Sequence, residues 1–152
     1  MDRETNTSDL TIGSELRGRM RLMTRERMRW YVDAQPTVGM DTGRIERQEP
    51  TIHDDDGYAR SQGLPGIIAD GMISTNWILG LLVHQFGDTV AREGALRTKY
   101  VKPIYEDDAI TSCARVTAID HQEGGRRVKL DVWCENGEGT VVTVGDATVV
   151  LR

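Results

Sequence analysis

A chain of 152 residues, 38% hydrophobic and 28% charged, has the size and make-up of one globular domain that needs no disulfide staple, which sets aside fibrous and disordered classes. Its net charge of −5 argues against general nucleic-acid binding, which depends on Lys and Arg displacing counterions from phosphates. Its apolar runs fall far short of the roughly 20 residues of a membrane helix, and the polar start "MDRETNTSDL" does not read as a secretory signal, so no membrane segment and a cytoplasmic location are expected.

In chain order, residues 1–10 read as a mobile polar tail ahead of a single domain over 11–152. "SELRGRMRLMT" alternates in part like a strand. Thr24 then suits the N-cap of a short amphipathic helix in "RERMRWYVDAQ", with Met28, Trp30 and Tyr31 on its apolar side. "PTVGMDTGRIERQEP" carries Pro and Gly without a period and reads as a connecting loop with room for one short strand.

The next stretch, "PTIHDDDGYARSQGLPGIIADGM", sets His53 and three consecutive aspartates ahead of a Gly-Leu-Pro-Gly turn. One of Asp54, Asp55 and Asp56 is expected to cap the short helix "DGYARSQ", leaving the others solvated. The run lacks the ligand spacing and the glycine of a calcium loop, so no metal site is expected.

"GMISTNWILGLLVHQFG" follows, with Met72, Ile73, Trp77, Ile78, Leu79, Leu81, Leu82, Val83 and Phe86 spread nearly all round a helical wheel. Such a helix is expected to be buried on most sides. Asp70 supplies an N-cap, Gly71 is the first helical residue and Gly87 the stop. Within it, Asn76 is a buried-polar candidate in need of a partner, and His84 sits where the C-terminal dipole favours a cation.

After residue 94, "ALRTKYVKP", "AITSCARVTAID", "RRVKLDVWCEN" and "TVVTVGDATVVLR" are separated by turn-forming clusters and read as an antiparallel meander. Val128, Leu130, Val132 and Cys134 alternate with Lys129, Asp131, Trp133 and Glu135, the period of a sheet with one buried face. Cys113 and Cys134 lack zinc spacing and read as reduced core thiols. The expected architecture is α+β: a long central helix wrapped by an antiparallel sheet, with a second copy of the chain available to cover what remains.

From residue 53 onward the text resembles the MaoC-like hot-dog hydratases and dehydratases, the group that includes (R)-specific enoyl-CoA hydratases. That family carries D-x-N-P-[IL]-H, then H-x-D-x-x-x-A, a glycine-containing turn, A-H-G-M opening the central helix, and a strand ending in P-V-x-x-G-D. Here "HDDDGYA" gives His53, Asp55 and Ala59, "GLPGIIADGM" the turn and helix entry, and "YVKPIYEDD" the strand end. The match departs at two places: Gln48 stands where the family aspartate would be, and Asp70 where the A-H-G-M histidine would be. Glutamine has no proton that titrates and cannot serve as a general base.

The resemblance implies a hot-dog fold and a substrate that is an acyl thioester of coenzyme A or acyl carrier protein, hydrated or dehydrated without a cofactor or metal. It also implies a homodimer or larger homo-oligomer. His53 is the candidate acid/base, and Asp70 is either a cap or its catalytic partner. Gly71, Met72 and Asn76 are the candidate substrate-binding residues, the Gly71 N–H as an oxyanion donor. Such a donor, backed by the helix dipole, suits the charge that builds on the thioester oxygen as water adds. Arg97, Lys99 and Lys102 could hold phosphates of the handle, though lysines on a strand also discourage edge pairing. Two further readings stay open: a changed dyad that performs isomerisation or cyclisation, and a non-catalytic partner subunit.

Overall fold

The computed structural model describes residues 9–35 and 50–152. The expected 36–50 loop, with Gln48, Asp41 and Glu46, lies outside the described residues except for Pro50, as does most of the N-terminal tail. Along the chain run strands β1 (Glu15–Arg17) and β2 (Arg21–Leu22), helices α1 (Arg25–Ala34), α2 (Asp56–Ser61), α3 (Gly71–Phe86) and α4 (Thr89–Glu93), then strands β3 (Ala95–Tyr100), β4 (Ala109–Gln122), β5 (Gly125–Glu135) and β6 (Val141–Leu151). No helix among the described residues is long and apolar enough to cross a membrane.

The sheet is antiparallel, in the order β1-β4-β5-β6-β3, with β2 paired to β4. This corrects the simple meander: β4, β5 and β6 are sequential neighbours, but β3 crosses to the far side and pairs with β6. Alternation within a strand says which face is buried; it carries no record of which strand lies beside it. The inward residues Val128, Leu130, Val132 and Cys134 of β5 are all buried, with Val142, Ala147 and Val149 of β6 beside them.

Helix α3 lies on this sheet, touching β3, β4, β5 and β6, with Ile73, Ser74, Ile78, Leu81, Leu82 and Phe86 buried. Its ends are those expected: the Met72 N–H donates to Asp70 Oδ1 at 2.8 Å, and Gly87 closes the helix with its N–H on the Val83 carbonyl. Burial on most sides is not observed. Met72, Leu79 and Val83 are 44%, 36% and 39% exposed, one stripe turned away from the sheet in this single chain. Asn76 shares that exposed side and is not a buried polar group.

Thr24 caps α1 as expected, accepting from the Arg27 N–H, but the buried residues are Met28 and Val32, whereas Trp30 is 66% exposed. Met28 and Val32 are one helical turn apart and share a face, which Trp30 cannot join. In α2 the cap is Asp55, whose Oδ1 accepts from the Tyr58 N–H. Its neighbours are not simply solvated. Asp54 accepts from the Thr51 N–H and hydroxyl, and Asp56 accepts from Arg25 Nη1 and the Ile67 N–H, so Arg25 holds its carboxyl below the usual carboxylate range. Arg25 also grips Glu106, tying α1, α2 and the β3–β4 turn together.

Both cysteines are free and buried, and burial pushes the thiols up, Cys113 to about 11 and Cys134 to about 12. The β3–β4 turn contains a backbone position that favours glycine. Asp107 occupies the glycine position of P-V-x-x-G-D with φ at 65°, a left-handed conformation that costs a β-carbon. Asp107→Gly is expected to raise stability by about 0.5–1 kcal/mol, read as an increase in Tm, because aspartate pays part of the left-handed penalty there.

Candidate active site

The first turn of α3 is pinned before anything binds to it. Ser74, fully buried, donates its hydroxyl to the Gly71 carbonyl at 2.7 Å and meets the buried Thr143 hydroxyl of β6 at 2.8 Å. The two bonds fix the helix entry against the sheet. Gly71 itself has an N–H with no acceptor among the described residues, as the first turn of a helix requires.

Around that N–H is a cavity of about 440 Å³ lined by His53, Ile68, Ala69, Asp70, Gly71, Tyr100, Lys102 and Thr143, with Val101, Pro103 and Ile104 completing it. Glycine is required at the entry because Tyr100 lies against it: a β-carbon on residue 71 would stand 2.5 Å from the ring's Cδ2 and Cε2. The phenol is held by Thr75 at 3.0 Å and donates to Met72 Sδ at 3.1 Å. Gly71→Ala is expected to cost about 1–2 kcal/mol through this overpacking, and Tyr100→Ala in the same chain to recover most of it. Denaturant midpoints of the four members of the cycle measure the coupling.

His53 is half-buried in the loop before α2, and its Nδ1 donates to the Ile68 carbonyl at 2.9 Å. A carbonyl only accepts, so the neutral ring carries its proton on Nδ1 and leaves the Nε2 lone pair available. The same carbonyl belongs to the segment leading into α3, which couples the position of the imidazole to that of the Gly71 N–H. Asp70 is the only carboxylate among the described residues lining the cavity. Both its oxygens are engaged, Oδ1 by the Met72 N–H and Oδ2 by Gln35 Nε2 at 3.0 Å.

Three of the expected site residues, His53, Asp70 and Gly71, therefore converge on one cavity. Met72 reaches it only through its contact with the Tyr100 hydroxyl, and Asn76 does not line it; its side chain lies on the exposed stripe of α3, where the helical period places it beside Met72 and Leu79 rather than Gly71. Of the three candidate phosphate holders only Lys102 borders the cavity, whereas Arg97 is 84% exposed and 3.7 Å from Asp146. Sequence reasoning missed Tyr100, Gln35 and the Ile68 carbonyl. Tyr100 had a signal in its position at the end of β3, three residues before Pro103; the other two depend on contacts between distant segments.

The chain matches the family described as MaoC like domain over residues 50–138. Among solved structures it is similar to the R-hydratase PhaJ1 from Pseudomonas aeruginosa in the unliganded form, at 17% identity and a TM-score of 0.70, covering 95% of this chain and 84% of that one. It is similar to the (R)-hydratase from A. caviae involved in PHA biosynthesis, at 18% identity and a TM-score of 0.70, covering 96% and 100%. The ChsH1-ChsH2 complex from Mycobacterium tuberculosis gives 15% identity and a TM-score of 0.67, covering 93% and 98%. No curated protein sequence matches the chain. At these identities the structural likeness establishes the shared fold, an α+β hot-dog.

Proposed function

The chain belongs to the MaoC-like domain family, and from that premise we propose that it is a hydro-lyase acting on an acyl thioester, interconverting an enoyl and a 3-hydroxyacyl group. The observation that carries this reading is the meeting of His53 and the Gly71 N–H at one cavity, an available base beside an unclaimed backbone donor at a helix start. In hydration, His53 Nε2 takes a proton from water as the water oxygen bonds to the β-carbon. The electron pair of the double bond moves through the α-carbon onto the thioester oxygen, which the Gly71 N–H and the dipole of α3 stabilise. The proton held by His53 then passes to the α-carbon as the carbonyl re-forms. Elimination runs the same steps backwards.

Asp70 is assigned a positioning role: with one oxygen on the Met72 N–H and the other on Gln35, it fixes the helix entry and takes no proton. Lys102 stands at the cavity wall, where the handle of an acyl-CoA or acyl carrier protein thioester would leave. A homodimer or larger homo-oligomer covers the stripe of Met72, Leu79 and Val83 and the β3 edge, where Tyr100 and Val101 are both 45% exposed.

The reading is tested by incubating purified protein with crotonyl-CoA and a longer enoyl-CoA and following loss of the conjugated thioester absorbance. Hydration supports it. No turnover at any chain length overturns it in favour of a second reading, a partner subunit of a hetero-oligomer, which Gln48 at the family aspartate position and the absence of an unengaged carboxylate among the described cavity residues favour.

A further inference from the structure

His53 donates from Nδ1 to the Ile68 carbonyl, so the imidazole stands where Ile68 puts it. The segment that carries Ile68 lies outside the strands of the sheet and pairs through an isolated antiparallel bridge, Ile68 with Tyr105. It is held from two sides. Toward the His53 loop, the Ile68 N–H donates to the Ile52 carbonyl at 3.0 Å and the Ile67 N–H to Asp56 Oδ1 at 3.0 Å. Toward the β3–β4 turn, the Ala69 N–H donates to the Ile104 carbonyl at 2.8 Å. Gly66 lets Asp56 come this near: a β-carbon there would stand 3.1 Å from Asp56 Oδ1, a tight contact.

One guanidinium joins the two sides. Arg25, the first residue of α1, does not line the His53 cavity. Its Nη1 donates to Asp56 Oδ2 at 2.8 Å, and its Nε and Nη2 both donate to Glu106 Oε2, at 2.9 and 2.6 Å. Asp56 bonds the residue before Ile68, and Glu106 follows the residue that pairs with Ile68. The three side chains are 34%, 30% and 36% exposed. Ion pairs this open to water add little stability. A planar fork held on two carboxylates instead fixes geometry, which a lysine ammonium, a point charge on a flexible stem, cannot do.

We propose that Arg25 is a positioning residue for water addition: by holding Asp56 and Glu106 at once it sets where the Ile68 carbonyl stands, and through that carbonyl the orientation and tautomer of His53. The proposal rests on the reading of His53 as the acid/base. A neutral imidazole free in water exchanges its proton between the two ring nitrogens. The Ile68 carbonyl, which only accepts, keeps that proton on Nδ1 and leaves Nε2 to take one from water. With Arg25 removed, the Ile67 and Tyr105 sides separate, the carbonyl shifts, and the ring is free to turn and to carry its proton on Nε2. A misplacement of about 1 Å at a reacting group costs up to about a hundredfold in rate.

The test measures ¹⁵N spectra of the histidine ring nitrogens and steady-state hydration of crotonyl-CoA on the full chain, below the melting range of each variant. Wild type is compared with Arg25→Lys, Arg25→Gln and Glu106→Gln, and His53→Asn identifies the His53 signals. Arg17→Gln, which breaks the Arg17–Glu135 ion pair away from the cavity, is the control. The expected wild-type spectrum is that of a fixed Nδ1–H tautomer. In both Arg25 variants the two nitrogen signals move toward each other as the tautomers mix, and kcat falls about ten- to a hundredfold with KM within about twofold. Lysine restores neither reading, and Arg17→Gln changes neither. Glu106→Gln, which keeps an acceptor for the guanidinium, falls between wild type and Arg25→Gln and serves should the latter not fold. Arg25→Lys and Glu106→Gln that melt lower yet keep the wild-type tautomer and kcat overturn the proposal, leaving Arg25 as a brace for stability alone. The spectra need no substrate, so the two readings fail separately: an unmoved tautomer beside wild-type turnover removes the role of Arg25 only, whereas tautomer mixing with no turnover by wild type removes His53 as acid/base and the catalytic part of this proposal with it.

Discussion

His53→Ala is expected to lower turnover of an enoyl thioester by about two to four orders of magnitude, the range for loss of a general acid/base. The geometry supplies a control. His53 also anchors its loop through the bond from Nδ1 to the Ile68 carbonyl, so alanine removes both a base and a strut. Asparagine can still donate from its amide to that carbonyl but has no group that titrates. His53→Asn is therefore expected to match His53→Ala in activity while melting closer to wild type. Recovery of activity in His53→Asn would mean that the residue only holds the loop. Asp70→Asn provides the contrast, because asparagine caps a helix about as well as aspartate and costs little stability. With Asp70 as a positioning residue, turnover in Asp70→Asn stays within about tenfold of wild type; a loss as deep as that of His53→Ala, in a chain with unchanged Tm, would make Asp70 a proton carrier instead.

Leu82→Ala is expected to cost about 2–5 kcal/mol, since Leu82 is fully buried in the core formed by α3 and the sheet and its removal leaves a cavity. For a domain of this length that is a fall in Tm of roughly 10 °C, a large share of a typical folding free energy. Leu79, one turn back on the exposed stripe, behaves differently. In an isolated chain Leu79→Ala costs under about 1 kcal/mol, and any larger effect that grows with protein concentration reports a second copy packed on that stripe. Thermal melts of both variants at two protein concentrations, with sedimentation to give the oligomer, separate the two contributions.

Much of this fold could be read from residue order because its signals are local. Asp70 and Gly87 bracket α3, Thr24 starts α1, and the alternation of β5 names its buried face residue by residue. What could not be read depends on partners remote in sequence. Nothing in "ALRTKY" says that β3 pairs with β6 instead of β4, and an apolar wheel says that a helix seeks cover without saying whether its own chain supplies it. Asn76 shows the same limit: a polar residue amid apolar neighbours faces out when the stripe it sits on is left uncovered by this chain. At the site, His53, Asp70 and Gly71 were legible because the family motif keeps them close in sequence. Tyr100 and Gln35 join them through contacts 29 and 35 residues away from the helix entry, by the numbering of Gly71 and Asp70. Gln48 stays the point where motif and chemistry part, since it falls in the stretch between α1 and His53 outside the described residues.

The most direct test of the central claim is isotopic: purified protein is given crotonyl-CoA in ¹⁸O-labelled water and the thioester product is analysed by mass spectrometry, with His53→Asn in parallel. The expected product is a 3-hydroxyacyl thioester carrying the label on its β-carbon, formed by wild type and not by the variant within the same time. Recovery of unreacted crotonyl-CoA from wild type, or equal labelling by both proteins, would contradict the assignment of His53 and the Gly71 N–H as the machinery of water addition.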